Sequence, residues 1–286
     1  MTLPPFELHR AGSVEEAAEL LERYGEDAAV VCGGTELLLL LKLGFAAYGH
    51  LVDIKRIAEL GAIRAEDGTL VIGSTVTHRE LERAPFVLER LPALAAMERR
   101  VANIRVRNVG TLGGNLCFSD PHSDPATFLL ALDAEVEYGA ASAARRVPLS
   151  QFLVGPYETA LSHGQLLTAV LIPLPAAGSS IVHRKLAFHE RPAATVTCLT
   201  RVAQGSFDDV RIAVGSVGAR PVRATDAEDA LQGKAAADPS ALETAATLAA
   251  QAAQAVADAN GSVEYKQNLV RVLVERCLRD AVAGRA

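Results

Sequence analysis

Hydrophobic and polar positions in the first fifty residues follow a pattern that predicts a small β-α-β unit. Ser13 and Glu16 have the spacing of a capping box, and apolar positions then recur at helical spacing until Gly25. A buried strand at 28–32, a short helix at 37–43 and a second strand at 50–54 are predicted after it. The unit spans residues 1–55.

The middle of the chain mixes strand and helix patterns. Apolar runs at 62–65 and 69–72 flank Glu66-Asp67-Gly68, which is typical of a hairpin turn. Thr77 and Glu80 form a second capping box. A helix at 91–101 and strands at 134–138 and 166–172 are also predicted. These elements make up a second unit, residues 56–175.

Residues 173–180, rich in Pro, Ala, Gly and Ser, indicate a boundary before a third unit, residues 176–286. Strands are predicted at 182–187, 195–202 and 210–217, and Thr225 with Glu228 forms a third capping box. Two Ala-rich amphipathic helices follow, at 239–259 and 265–282. The whole pattern predicts an α+β fold.

Composition and charge exclude several classes of protein. With 286 residues, 50% of them hydrophobic and 22% charged, the chain is expected to fold into globular units. The net charge of −6 argues against nucleic acid as a general partner. Residues 1–10 lack the apolar core of a signal peptide, and the most apolar run, 37–41, is too short to span a bilayer. We therefore expect a soluble, cytoplasmic protein.

The chain shows no sequence pattern of a metal site or of a catalytic nucleophile. Its four cysteines, Cys32, Cys117, Cys198 and Cys277, form no C-x-x-C pair, and buried free thiols are the simpler interpretation. The histidines lack H-x-x-H and H-E-x-x-H spacing, so no metal site is expected. No G-x-S-x-G elbow is present, which leaves a hydrolase without support.

The stretch at 109–125, V-G-T-L-G-G-N-L-C-F-S-D-P-H-S-D-P, is the first candidate for ligand binding. Its three glycines allow the backbone to approach a ligand, and Thr111 and Asn115 can bond a phosphate or a ribose. Asp124 and Pro125 have the pattern of an N-cap and a first helical residue. Free N–H groups near a helix N-terminus suit an anion, although a tight surface turn without a ligand is the favoured interpretation when this stretch is taken alone.

A second glycine motif strengthens the ligand interpretation. Residues 30–36, V-V-C-G-G-T-E, run from a predicted strand through a glycine turn into a predicted helix. The motif is not a Walker loop, and it lacks G-x-G-x-x-G spacing. Two such loops predict a cleft that grips a diphosphate from both sides.

The pair of motifs C-G-G-T-E and V-G-T-L-G-G-N resembles the flavin-binding subunit of the molybdenum hydroxylases. This family includes the medium chains of carbon monoxide dehydrogenase and of the multi-subunit xanthine dehydrogenases. The resemblance covers essentially the whole chain. It implies a two-part FAD-binding domain of the vanillyl-alcohol-oxidase/PCMH type, followed by a C-terminal domain of three antiparallel strands and helices.

The resemblance also implies which residues bind FAD. A covalent link between the protein and the flavin is not expected, because the first loop contains no His. The implied set is Val31, Cys32, Gly33, Gly34, Thr35, Glu36, Leu37, Val101, Ala102, Gly110, Thr111, Leu112, Gly113, Gly114, Asn115, Asp124, Leu167 and Lys185. The chain departs from the family at 190–193, E-R-P-A, where many members have an Asp followed by an aromatic or aliphatic residue. For the basic run of Arg99, Arg100, Arg105 and Arg107, a solvated face is favoured over phosphate contact.

The function implied by the resemblance is electron transfer, with no catalytic residue on this chain. A large partner subunit would hydroxylate substrate at a molybdenum cofactor, and a small partner with two [2Fe-2S] clusters would pass the electrons to FAD and then to an external acceptor. Two alternatives remain. One is a stand-alone FAD-dependent reductase or oxidase, like the enzyme that reduces enolpyruvyl-UDP-N-acetylglucosamine; the other is a cofactor-free scaffold subunit.

Overall fold

A parallel three-stranded sheet forms the N-terminal part of the molecule. The computed structural model describes residues 2–140, 144–188 and 191–284. Its first elements are β1 (Glu7–Arg10), α1 (Val14–Tyr24), β2 (Ala28–Val31), α2 (Leu37–Leu43) and β3 (His50–Asp53). The strand order is β1-β3-β2, with both pairs parallel. The predicted β-α-β unit is confirmed, and β1 is an additional edge strand that the sequence pattern did not indicate.

An antiparallel sheet and a layer of helices form the middle of the chain. The elements are β4 (Ile63–Glu66), β5 (Thr69–Gly73), α3 (His78–Arg83), α4 (Pro85–Arg90), α5 (Pro92–Glu98), α6 (Ile104–Arg107), α7 (Leu112–Phe118), α8 (Asp124–Ala131), β6 (Glu135–Gly139), β7 (Arg145–Pro148), α9 (Leu149–Phe152), β8 (Leu153–Gly155), β9 (Glu158–Thr159) and β10 (Leu166–Pro173). Five strands pair in the order β4-β5-β10-β6-β7. The predicted hairpin and the Thr77–Glu80 capping box are both confirmed.

The helix predicted at 91–101 is confirmed as α5, which is shorter and ends at Glu98. Leu91 has φ −145° and ψ 58°, which separates α5 from the preceding α4, and Pro92 begins the helix. Proline is favoured at a first helical position because its missing N–H is not needed there. The sequence pattern did not indicate α4.

A four-stranded antiparallel sheet covered by three helices forms the C-terminal part. Its elements are β11 (Ser179–Ala187), β12 (Pro192–Ala203), β13 (Ser206–Gly215), β14 (Val222–Arg223), α10 (Thr225–Leu231), α11 (Pro239–Ala252) and α12 (Val263–Val282). The prediction of three strands missed β14, whose two residues are too few to show a period. The third capping box is also wrong, because the Glu228 carboxylate accepts from Ile212 N (2.7 Å) and from Arg223 instead.

Helix α8 connects the middle of the molecule with the C-terminal sheet. All eight of its residues are buried, and it packs against α5 on one side and against β12 and β13 on the other. Thr127 Oγ1 lies 3.1 Å from Thr195 Oγ1, which lies 3.2 Å from Ser216 Oγ. The boundaries near residues 55 and 175 stay predictions. Within the described ranges, no helix is long and apolar enough to cross a bilayer.

Candidate functional site

A cleft of about 500 Å³ lies where segments of the N-terminal, middle and C-terminal parts of the chain meet, and both glycine motifs line it. Of the residues implied as FAD contacts, those on the cleft wall are Val31, Cys32, Gly33, Gly34, Thr35, Glu36, Leu37, Val101, Ala102, Gly110, Thr111, Gly113, Gly114, Asn115, Asp124 and Leu167. Leu112 is fully buried in the core instead. Lys185 reaches the cleft through its bond to Asp124.

The first glycine motif is a loop with unpaired amide groups. A side chain at Gly33 would collide with the backbone of the second motif, 2.8 Å from Gly110 Cα, so the two motifs touch at this point. Gly34 has φ +69°, a conformation that side chains rarely adopt. The amides of residues 34–36 donate no hydrogen bond within the part of the chain that the structure describes. Three neighbouring unpaired donors favour an anionic group here.

The second glycine motif is not a loop, contrary to the prediction. Thr111 is an N-cap that accepts from Gly114 N at 3.0 Å, and α7 begins at the next residue. Gly113 N donates to Ser74 O at 3.1 Å, so the amides of this motif are largely used within the protein. A Cβ at Gly113 would lie 2.6 Å from Ser74 Cβ. This glycine is therefore needed for packing between α7 and the segment after β5.

The N-cap of α8 is Ser123 and not Asp124, as the sequence pattern had indicated. Ser123 Oγ accepts from Ala126 N at 3.0 Å, and it donates to Asn115 Oδ1 on the cleft wall at 2.6 Å. Asp124 is the first helical residue, which leaves its carboxylate free to interact with other elements.

The Asp124 carboxylate joins α8 to strand β11. Lys185 Nζ donates to Asp124 Oδ2 at 2.5 Å and to Arg100 O at 2.6 Å. His183 Nε2 lies 3.7 Å from Asp124 Oδ1, and neither atom has a hydrogen-bond partner among the described residues. Burial raises the pKa of Asp124, but the nearby His183 and Lys185 lower it by more, so that the pKa lies below its usual value. The carboxylate is thus ionised and has one oxygen without a donor.

An ion-pair bridge lies at the mouth of the cleft. Arg191 Nη2 is 3.2 Å from Asp120 Oδ2 and 3.9 Å from Glu36 Oε2, and Tyr157 lies beside it. Burial opposes ionisation of Asp120, but hydrogen bonds from His122 and the charge of Arg191 lower its pKa. At Glu36, burial raises the pKa despite the neighbouring arginine. The bridge joins the segment between β2 and α2, the segment between α7 and α8, and the residue that directly precedes β12.

The two cysteines on the cleft wall are neutral thiols, and the basic run lies outside the wall. Burial raises the pKa of Cys32, and it raises the pKa of Cys117 to about 12, so neither is a thiolate at neutral pH. None of the four predicted arginines lines the cleft. Arg107 Nη1 donates to Val101 O at 2.9 Å and so supports the turn that places Ala102 (φ +39°) on the cleft wall.

Sequence reasoning predicted Glu36 but missed the other charged residues of the mouth. Asp120 and His122 lie inside the stretch at 109–125, but their pattern alone does not separate a ligand contact from a solvated turn. Arg191 belongs to the departure at 190–193, whose first residue, Glu190, lies outside the described residues. An arginine in place of an aliphatic or aromatic residue was a signal that a charged partner would be found nearby.

Comparisons with known proteins agree with this geometry along the whole chain. Residues 4–175 match the FAD binding domain in molybdopterin dehydrogenase, and residues 186–281 match the CO dehydrogenase flavoprotein C-terminal domain. The chain is 34% identical over 285 residues to the carbon monoxide dehydrogenase medium chain of Hydrogenophaga pseudoflava, with 99% of each chain covered. It is 33% identical to the putative xanthine dehydrogenase FAD-binding subunit of Escherichia coli K12, with 96% of each covered.

A solved structure shows the same fold. A chain of the Hydrogenophaga pseudoflava carbon monoxide dehydrogenase that lacks the Mo-pyranopterin moiety of its cofactor superimposes with a TM-score of 0.95, at 35% identity and 99% coverage of each chain. The chain therefore belongs to the family of FAD-binding medium subunits of molybdenum hydroxylases, the flavoprotein subunits of oxidoreductases such as carbon monoxide dehydrogenase and xanthine dehydrogenase.

Proposed function

We propose that this chain holds FAD in the cleft and acts as the electron-exit subunit of a three-subunit molybdenum hydroxylase. The unpaired amides of residues 34–36 carry the proposal, because they offer donors that the protein itself does not use. The cleft volume of about 500 Å³ falls in the range of small-molecule sites. The buried, unpartnered oxygen of Asp124 adds an acceptor at a second point. The residues present thus fit a large ligand that has both anionic and donor groups.

Each side of the cleft would hold a different part of the cofactor. The amides of Gly34, Thr35 and Glu36 would donate to the diphosphate, while Asp124 Oδ1 would accept from an N–H or O–H group. The apolar wall, including Val101 and Leu167, would exclude water from the ring system. Lys185 keeps the Asp124 carboxylate ionised and fixed. FAD supplies two-electron and one-electron redox chemistry when bound.

The partners and the direction of electron flow follow from family membership and belong to this proposal. A small subunit with two [2Fe-2S] clusters would deliver electrons to the cleft, and a large molybdenum subunit would carry out the hydroxylation. An external acceptor would then remove the electrons. The protein residues position the cofactor and limit access to it, and none acts on the hydroxylated substrate. Placement in the cytoplasm stays a prediction.

Native purification tests the proposal at two levels. Heat-released cofactor from the purified chain should be FAD and not FMN, because a diphosphate fits the unpaired amides and a monophosphate would use fewer of them. Untagged chain should co-purify with two further subunits that contain molybdenum and iron. Recovery of FMN alone, or of no flavin from folded protein, would contradict the cofactor assignment. Bound FAD with no molybdenum- or iron-containing partner would instead favour a stand-alone flavoenzyme.

A further inference from the structure

A cluster of potential metal ligands lies on the N-terminal sheet, in residues that do not line the cleft. Glu7 and His9 are two residues apart on β1, so their side chains leave the same face of the sheet. His50, on β3, is the direct register partner of Glu7 and shares that face. One ligand atom from each of the three residues lies within 4.8 Å of the other two. The parallel pairing of β1 and β3 thus fixes two histidines and one carboxylate together.

The geometry of the two rings is close to what a shared cation requires. His9 Nε2 and His50 Nδ1 share a hydrogen bond of 3.0 Å, and His50 Nδ1 lies 3.7 Å from Glu7 Oε2. A cation that binds both nitrogens would replace the proton between them. Ligand atoms about 2.1 Å from a common tetrahedral centre are separated by about 3.4 Å. Glu7 is the loosest member, with 67% of its side chain exposed, so a small rotation of this side chain can complete the set.

Aromatic packing holds the rings in place before any ligand binds. The Tyr24 ring, at the end of α1, stacks on His50 with centroids 3.6 Å apart and on His9 at 4.9 Å. Only 14% of the His9 side chain and 21% of the His50 side chain are exposed. Such fixed orientation lowers the entropic cost of coordinating a metal.

We propose that Glu7, His9 and His50 form a divalent transition-metal site, with Zn²⁺ as the preferred ion and water in the fourth position. Two imidazoles and one carboxylate are a ligand set that suits zinc. Harder cations such as Mg²⁺ and Ca²⁺ prefer oxygen ligands, and the cluster offers a single carboxylate. The bound ion would join edge strand β1 to β3. Its role is to fix the N-terminal strand, and it does not take part in electron transfer.

The test is calorimetric titration of the full chain, free of any affinity tag, with zinc chloride after treatment with a chelator. One equivalent of Zn²⁺ should bind, and it should raise the melting temperature of the chain. Glu7→Gln and His9→Gln should each weaken binding by roughly tenfold or more. Glu26→Gln is the matched control, since it makes the same isosteric change at an exposed glutamate outside the cluster, and it should bind as the wild type does.

Two results would overturn the proposal. One is a wild-type chain that binds no stoichiometric Zn²⁺. The other is unchanged affinity in both Glu7→Gln and His9→Gln, which would place the ion elsewhere, for instance at a cysteine. The exposure of Glu7 makes its variant safe for folding, and circular dichroism of His9→Gln checks that β1 remains paired. Flavin content is a separate readout, so failure of the metal proposal leaves the proposed function untouched.

Discussion

Replacing Asp124 with alanine removes the buried carboxylate that joins α8 to β11. Lys185 would keep its charge with 11% of its side chain exposed, and the Arg100 carbonyl would be its remaining partner among the described residues. Removing one partner of a buried ion pair lowers the free energy of unfolding by about 3–5 kcal/mol. Because the carbonyl still accepts from Lys185, we expect the lower end, about 3 kcal/mol of unfolding free energy.

Urea unfolding of the flavin-free chain measures this effect. Ser123→Ala, which removes the actual N-cap, should cost about 1 kcal/mol and serves as the comparison. In the double variant Asp124→Ala with Lys185→Met, the unpaired charge disappears, so more than half of the lost stability should return. Asp124→Asn keeps a hydrogen-bond acceptor for Lys185 and should fall between wild type and Asp124→Ala.

The pH dependence gives an independent check on the same carboxylate. The folded pKa of Asp124 is lowered, so its stabilising contribution is fully present above the unfolded value of about 3.9. The contribution is lost as the pH falls through the lower, folded value. The stability difference between wild type and Asp124→Ala should therefore be constant near neutral pH and shrink below about pH 4. A loss no larger than that of Ser123→Ala, with no coupling to Lys185, would refute the reasoning.

Three further predictions concern the cleft. Gly113→Ala should cost about 1–3 kcal/mol in urea unfolding, because its Cβ would collide with Ser74, whereas Gly114→Ala, which meets one hydroxyl, should cost less. Arg191→Met should release FAD roughly two- to fivefold faster in a flavin-fluorescence assay, since it breaks the bridge at the mouth. With a pKa of about 12, about one Cys117 thiol in ten thousand is ionised at pH 8, so its alkylation by iodoacetamide, followed by mass spectrometry, should be very slow until the chain unfolds.

Each of these predictions has a clear contrary outcome. Equal stability of the Gly113 and Gly114 variants would show that α7 can move away from the segment after β5. An unchanged FAD release rate in Arg191→Met would mean that the bridge does not limit access to the cleft. Rapid alkylation of Cys117 in folded protein would show that its thiol is open to solvent.

Local patterns in the sequence predicted much of the secondary structure. The Thr77–Glu80 capping box, the hairpin at Asp67-Gly68 and the long strands each depend on residues within a few positions of one another. The prediction of a loop at the second glycine motif was wrong because tertiary contacts decide the conformation there. Gly113 is helical because Thr111 caps α7 and because the helix packs closely on Ser74, and neither contact can be read from glycine propensity.

Contacts between distant segments could not be predicted from a single sequence. Lys185 lies 61 positions after Asp124, and the two side chains meet only in the folded chain. The charges at the mouth come from three separate loops. His9 and His50 meet because β1 and β3 are neighbours in the strand order β1-β3-β2. The hydrophobic pattern within a single strand does not predict which strand lies beside it.

Helix α8 has a consequence for the motions of the molecule. Its eight residues are buried on every side, between the helices of the middle sheet and the strands of the C-terminal sheet. Its backbone amides can therefore meet solvent deuterium only when these neighbours separate from it, and they should be among the last to exchange. Helix α2, at the other wall of the cleft, is only partly buried, so it can open locally and exchange sooner. A ligand would then enter the cleft by movement of the wall that contains α2, while α8 on the opposite wall stays fixed.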